Sequence, residues 1–346
     1  MSGFALERAS ERRLLIEQVA AGLGVLPVIV EKDFWVCWIL GRIFECPAMA
    51  PGVVFKGGTS LSKVFGVIQR FSEDADLSVS PTFLGFMEAD LDEAPSHSAR
   101  LKRMKALGKA CEECVVQRFQ PALEAAVAET LGLAVPAAPW LRFEMDPMAG
   151  TPNLWFNYPS VLPPARGYIA KQVKLELGSL TSQKPTGHHV IKPMLADVLG
   201  EAFPDFRVPV VALELERSFW EKATILHAEY HRPADQAIRD RVARHYTDFA
   251  ALWRHPSRTK SLARMDVLQD VIRHKSRFFA SSWASYGTAV PGTFHLVPAK
   301  HRHEALAEDL EAMRPMFLSE SPTFTMLLKQ LEEAEGELNF GSSQGG

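Results

Sequence analysis

One stretch limits what this chain can fold into more than any other. Val53-Val54-Phe55 is a short apolar run that stops at Lys56-Gly57-Gly58. From Thr59 to Ile68, the apolar residues Leu61, Val64, Phe65 and Ile68 recur at helical spacing. Asp76-Leu77-Ser78-Val79 then reads as a second strand. The order is strand, glycine turn, helix, strand. Glycines at such a turn let the backbone approach a ligand closely, and the free N–H groups of the next helical turn favour an anion. Thr59 and Ser60 add hydroxyl donors. Gly-Gly also marks ordinary turns. No Gly-Lys-Ser/Thr triplet follows, so this is not a P-loop, and the third glycine of the dinucleotide fingerprint is missing.

Asp74 and Asp76 give the turn its meaning. Period-two geometry puts both carboxylates on one face, roughly 7 Å apart along the chain, with Ala75 and Leu77 on the other. Carboxylates so placed can share two Mg²⁺ ions that also hold a triphosphate, an arrangement that activates an attacking hydroxyl and stabilises leaving pyrophosphate. In isolation Ser72-Glu73-Asp74 reads as a solvated acidic turn. Behind a strand, Gly-Gly and helix, the metal-binding reading is the stronger one.

Lys56-Gly57-Gly58-Thr59-Ser60-Leu61, followed by Arg70-Phe71-Ser72-Glu73-Asp74-Ala75-Asp76-Leu77, resembles the AbiEii/AbiGii-type toxin nucleotidyltransferases of the DNA polymerase β-like superfamily. The resemblance spans about residues 28–255. It implies an NTP substrate, Mg²⁺, and a place in a toxin–antitoxin or phage-abortive defence system. It also implies an RNA acceptor, a tRNA 3′ end, and a cognate antitoxin as partner. Sites of this kind need a third carboxylate from a neighbouring strand, and Glu176 is the best candidate. In Val173-Lys174-Leu175-Glu176-Leu177 the apolar residues face one way and Lys174 and Glu176 the other, so Glu176 could ligate a metal or act as general base. An exposed strand face carrying alternating charge fits the same pattern. Glu144 and Asp146 are weaker candidates.

Ser218-Phe219-Trp220-Glu221 reads as a capping box, which would put Lys222 near a helix N-terminus, where a cation opposes the macrodipole. Such a lysine needs an anionic partner, either a phosphate or a nearby carboxylate such as Glu221. The resemblance makes Lys222 a catalytic or phosphate-binding residue. It also matches Arg244-His245-Tyr246-Thr247-Asp248 to an Arg-x-Tyr-x-Asp element and so places Asp248 near the nucleotide. The plain alternative for Asp248 is an i,i+4 pair with Arg244. Gly57, Gly58, Thr59, Ser60, Lys63 and Lys222 are then the expected triphosphate grip, and Asp74, Asp76 and Glu176 the expected metal ligands.

The remaining signals set bounds. At 346 residues the chain suggests two domains, or one with a large appendage. The expected division is N-terminal helices over 1–50, a nucleotidyltransferase core over 51–216, a helical part over 217–335 and a disordered tail over 336–346. The fold class is α+β, a polymerase β-like domain with a small mixed sheet followed by a mostly helical C-terminal part. Net charge −3 predicts no bulk attraction to nucleic acid. Arg232, Arg239, Arg241, Arg244 and Arg254 could form a local patch for an acceptor stem, or a solvated helix face. The helix expected over residues 28–45 opens on Glu31-Lys32-Asp33, which reads as a solvated helix start or a functional cluster. Four cysteines fit a reducing cytosol. No apolar segment is long enough to span a bilayer, so a cytoplasmic location is expected. Cys111 and Cys114 form one lone pair of zinc-like spacing, and His227 and His231 lack the arrangement of a zinc protease motif. An acceptor that is a protein or small molecule, and a non-catalytic nucleotide-sensing or antitoxin-binding module, are the alternatives that these residues leave open.

Overall fold

The computed structural model describes residues 1–87, 93–132, 139–163, 170–200, 202–203 and 205–341. Its contacts divide the chain into two compact units, Met1–Val64 with Phe71–Leu213, and Phe65–Arg70 with Glu214–Gly346. The architecture is α+β, with a mixed seven-stranded sheet in the first unit and helices throughout.

The first unit opens with helices α1 (Ser2–Leu6), α2 (Ala9–Leu23) and α3 (Pro27–Glu45). Strand β1 (Val53–Lys56) leads into α4 (Gly57–Lys63), then β2 (Ala75–Val79). A long helical stretch follows as α5 (His97–Cys114), a π-helical turn (Val115–Phe119) and α6 (Gln120–Leu131). Next come β3 (Leu141–Met145), β4 (Pro152–Phe156), β5 (Val173–Gly178), β6 (Thr186–Ile191), α7 (Ala196–Leu199) and β7 (Val208–Leu213). The sheet order is β3-β4-β5-β2-β1-β7-β6. β2 runs parallel to β5, and β1 parallel to β7; the other neighbours are antiparallel.

Period-two alternation explains how the sheet separates core from site. Ala75, Leu77, Val173, Leu175, Leu177, Leu154 and Phe156 are fully buried on one side. The residues between them in β2 and β5, Asp76, Lys174 and Glu176, are only partly covered. Helix α3 fills the core. Pro27 sits in its first turn, where the missing N–H costs nothing, and Trp35 and Trp38 stack on Tyr158 and Phe156.

The charged run in α3 is not a solvated helix start. Glu31, Lys32 and Asp33 are 1%, 2% and 1% exposed. Each finds a separate partner, which is what makes its burial tolerable. Glu31 accepts from the Ser160 hydroxyl and the Val161 N–H, both at 2.7 Å. Lys32 donates to Glu73 at 2.9 Å. Asp33 pairs with Lys63 and accepts from the Met194 N–H at 2.6 Å.

The second unit contains α8 (Leu215–Tyr230), α9 (Ala243–Arg254), α10 (Arg258–Ala263), α11 (Met265–Phe278), α12 (His303–Ala312) and α13 (Phe324–Phe340). The segment Phe65–Arg70 joins it through a Leu318 N–H bond to the Gln69 carbonyl and a bridge between Arg70 and Phe317. Helix α8 starts at Leu215 with Glu214 as N-cap, so Ser218-Glu221 is not its capping box. Ser218 is buried one turn inside, and Glu221 pairs with Arg217. Lys222 therefore lies two turns in, beyond the reach of the terminal dipole. The stretch from Gly336, expected to open a disordered tail, is helical as far as Phe340, where α13 ends. The buried stripe Leu327, Leu331, Ala334 and Leu338 carries across it at helical spacing. Residues 342–346 lie outside the described residues.

Lys275 in α11 donates to the Glu221 carbonyl at 2.8 Å and the Thr224 hydroxyl at 2.7 Å. Burial, with Arg217 and Lys222 nearby, lowers its pKa to about 7 against the pull of Glu221.

Two stability outcomes follow from these buried groups. Lys32→Met breaks the buried ion pair with Glu73 and is expected to cost about 3–5 kcal/mol, while Lys32→Met with Glu73→Leu recovers most of it; urea denaturation checks both. The unfolded chain keeps Lys275 protonated up to the ordinary lysine range, whereas the folded chain releases the proton near pH 7. Stability should therefore rise between pH 7 and 10 by a slope of up to about 1.4 kcal/mol per pH unit from this group. Lys275→Met should flatten that slope in denaturation measured across the same range.

Candidate active site

Gly57 is where strand becomes helix. Its φ is +80°, which favours glycine. A Cβ built there would lie 1.9 Å from Asp76 Oδ2. The Asp76 carboxylate thus occupies the space that any other residue at 57 would fill, and the glycine turn and the acidic pair are one construction. Lys56 and Asp76 are register partners across β1 and β2.

The residues after Gly57-Gly58 turn inward. Thr59 is buried, and its hydroxyl donates to the backbone carbonyls of Asp74 and, at 3.2 Å, Ser72. Ser60 is fully buried. Lys63 is held by Asp33; burial works against its charge, but Asp33 keeps its pKa above the ordinary value. The expected triphosphate donors Thr59, Ser60 and Lys63 therefore have their side chains engaged or enclosed within the protein. Thr59 fixes the loop that carries Asp74, Lys63 is tied to Asp33, and the enclosed Ser60 hydroxyl has no hydrogen-bond partner.

The sheet register assembles a polar lane. Asp76 on β2 is level with Glu176 on β5, Glu176 with Asn153 on β4, and Asn153 with Glu144 on β3. One step toward the start of β2 and β5, Asp74 precedes Ala75 as Lys174 precedes Leu175, its register partner. Trp155 is level with Lys174, and Arg142 with Trp155. Neighbouring strands lie about 4.8 Å apart, so Asp74, Asp76, Lys174 and Glu176 form a two-by-two block on one face. Lys174 donates to Glu176 at 3.1 Å and lies 3.5 Å from Asp146. The two weaker sequence candidates thus reach the same lane, Glu144 by register and Asp146 through Lys174.

Burial raises Asp74 to about 6, with Glu73 and Asp76 adding to the shift and Lys32 and Lys174 opposing it. Asp146 is lowered, first by the Ala149 N–H and then in part by Lys174. Asn153 is 2% exposed, and its side-chain Oδ1 has no hydrogen-bond partner. A buried, unmatched oxygen level with Glu176, and a carboxylate seated against Gly57, form a hard-oxygen donor set suited in kind to Mg²⁺. Among the described residues, no three His, Cys, Asp or Glu side chains are gathered closely enough to hold a metal ion as they stand. Glu176 is instead bonded to Lys174.

The second unit has its own charged cluster. Asp248 is buried and receives Arg70 in a two-pronged bond, 2.8 and 2.9 Å, and Lys222 at 2.8 Å. Burial alone would raise its pKa, but the two cations hold it far below the usual carboxylate range. Asp248 is bound by Arg70 and Lys222 rather than by Arg244, the i,i+4 partner of the plain alternative reading. Lys222 also lies 3.0 Å from His245 Nδ1. Burial and the neighbouring Lys222 push His245 well below its ordinary pKa, so its Nδ1 accepts from Lys222.

The discounted signals have local explanations. Cys111 is buried and bonds the Leu177 carbonyl at 3.6 Å, while Cys114 is only partly covered. His227 contacts the Ser285 carbonyl and Thr288 hydroxyl and accepts from the His295 N–H. Arg232 is bound to Glu229 and lies over the Trp283 ring, so it leaves the proposed basic patch. Local sequence patterns missed Lys32, Asp33, Glu73, Arg70 and Asn153. The available signal was Glu31-Lys32-Asp33 inside an otherwise apolar helix, where three adjacent charges demand three buried partners.

No helix among the described residues is single, long and apolar enough to cross a membrane. A comparison with curated proteins finds no match. Among solved structures the chain is similar to MenT4, a nucleotidyltransferase toxin from Mycobacterium tuberculosis H37Rv, at 13% identity and a TM-score of 0.35 over 87% of this chain and 98% of that one. The family described as nucleotidyl transferase AbiEii toxin, type IV toxin–antitoxin system, matches residues 38–334. That match takes in the Gly57 turn, the Asp74–Asp76 pair, Glu176, Lys222 and Asp248, and the chain belongs to the AbiEii nucleotidyltransferase toxin family.

Proposed function

We propose that this nucleotidyltransferase moves an NMP from an NTP to the hydroxyl of an RNA acceptor, a tRNA 3′ end, with Mg²⁺ held by Asp74, Asp76 and Glu176. The observation that carries the reading is the register of Asp76 with Glu176, beside a glycine whose missing side chain makes room for the Asp76 carboxylate. Two bound Mg²⁺ ions would supply charge neutralisation at the triphosphate and activation of the attacking hydroxyl. The chain's own residues do the positioning. Thr59 ties down the backbone on both sides of Glu73, Lys32 neutralises Glu73 in the interior, and Gly57 seats Asp76. Asn153 offers a buried oxygen beside Glu176. Glu176, partly open to solvent, is placed to take up a proton as well as to ligate. Gly57 and Gly58 carry no side chain of their own to cover the N–H groups of this turn, which the reading gives to phosphate oxygens.

Lys222 and Asp248 act as one element in this reading. Asp248 fixes the lysine amine in place, and Arg70 supplies the second cation that keeps Asp248 ionised. Their assignment to nucleotide binding comes from the family's motifs. A cognate antitoxin accompanies a toxin of a type IV system, and the cytoplasm is the compartment in which this reading places the reaction. Transfer to a protein or small molecule is the competing outcome.

Incubation with each α-labelled NTP, Mg²⁺ and total tRNA or cell extract tests the reading. Label is expected in RNA, and Asp76→Asn should lower transfer at least ~100-fold. Label that persists in RNA with Asp76→Asn removes the metal-site assignment, and label in protein replaces the acceptor. Gly57→Ala should match Asp76→Asn in activity while losing only about 1–2 kcal/mol of stability from its left-handed backbone. Transfer assays and thermal melting, run together, separate the two effects.

A further inference from the structure

Lys174 has no role in the chemistry described so far, yet it is the lysine that binds the carboxylate lane directly. It sits on β5 two residues before Glu176 and on the same face. Its amine is 3.1 Å from Glu176 Oε2 and 3.5 Å from Asp146 Oδ2, and its side chain is 16% exposed. Of the other lysines around this loop, Lys32 is committed to Glu73 and Lys63 to Asp33, while Lys56 stands level with Asp76 on the other side of β2. Resting on the nucleotidyl-transfer reading, we propose that Lys174 is a phosphate-binding residue, held on Glu176 and Asp146 in the nucleotide-free protein and transferred to the triphosphate oxygens when NTP arrives.

Charge balance drives the exchange. Glu73, Asp74, Asp76, Asp146 and Glu176 crowd one end of the sheet, and Lys32 and Lys174 are the cations that act on Asp74 there. Without divalent ions the carboxylates need Lys174. Once divalent ions take over Asp76 and Glu176, the amine is repelled by them and loses the nearer of its two partners, keeping only Asp146 at 3.5 Å. A triphosphate brings several new anionic oxygens to the same place, and lysine is a long, flexible point charge suited to follow them. Two further observations point to a ligand here. Asn153 Oδ1, level with Glu176, is buried and has no partner. Glu176 is bonded to Lys174 rather than gathered with Asp74 and Asp76.

This role predicts opposite effects on two ligands. In full-length Lys174→Met, calorimetry without nucleotide should show Mn²⁺ binding at least ~3-fold tighter, because nothing competes for Glu176. A non-hydrolysable NTP analogue with Mn²⁺ should bind ~10-fold more weakly, the loss of one charged contact to phosphate. Lys174→Arg should keep analogue affinity within ~3-fold of wild type. Lys174→Gln repeats the measurement should the Met variant melt early. A fall in both affinities together marks Lys174 as structural and overturns the proposal, as does no change in either. These readouts need no acceptor. Label transfer to protein instead of RNA would therefore defeat the RNA reading and leave Lys174 standing, whereas unchanged affinities in an enzyme that labels RNA would defeat Lys174 alone.

Discussion

The buried pair between Lys32 and Glu73 is the contact on which the carboxylate loop depends. Glu73 is next to Asp74 in the chain, so an unpaired charge there would pull the loop toward water and carry Asp74 with it. Lys32 prevents this from inside a helix with almost no exposed surface. Asp33, one residue on, holds Lys63 and so the end of α4. Two adjacent residues of one core helix thereby pin both ends of the segment between the glycine turn and the acidic strand. Replacing such pairs by apolar residues could leave the fold as stable or more so. Their value here lies in where they hold the loop.

The same economy appears in the second unit. Asp248 is kept ionised in the interior by two cations from distant parts of the sequence, and in return it orients Lys222. His245, kept neutral, adds an acceptor without adding charge. In both units a buried carboxylate is the fixed point and a lysine is the group it positions. Lys174 differs, because its carboxylate partners belong to the site itself.

Much of this site could be read from the sequence because its logic is local. Strand periodicity placed Ala75 and Leu77 inside, and the same alternation set Lys174 and Glu176 on the opposite face from Leu175 and Leu177. Register could not be read that way. Nothing in Glu176 or Asn153 alone says that they stand level with Asp76; that follows from a sheet order joining β5 to β2 across almost a hundred residues. The partners of Lys32, Asp33 and Asp248 were hidden for the same reason, since each lies far along the chain. The capping box failed differently. Ser218 and Glu221 have the right spacing, but Glu214 had already started the helix a turn earlier. Lys63 shows what residue type leaves out: a lysine after a glycine turn suggests phosphate, and the sequence gives no sign of the buried aspartate it pairs with here.

The contact between Gly57 and Asp76 has a genetic consequence. Where the protein is toxic to its host, cells survive by losing it, and survivors record which positions tolerate no change. Most surface codons can drift without effect. At Gly57 every missense change introduces a side-chain atom where the Asp76 carboxylate already sits, so escape mutations should accumulate there as densely as at the aspartate codon itself.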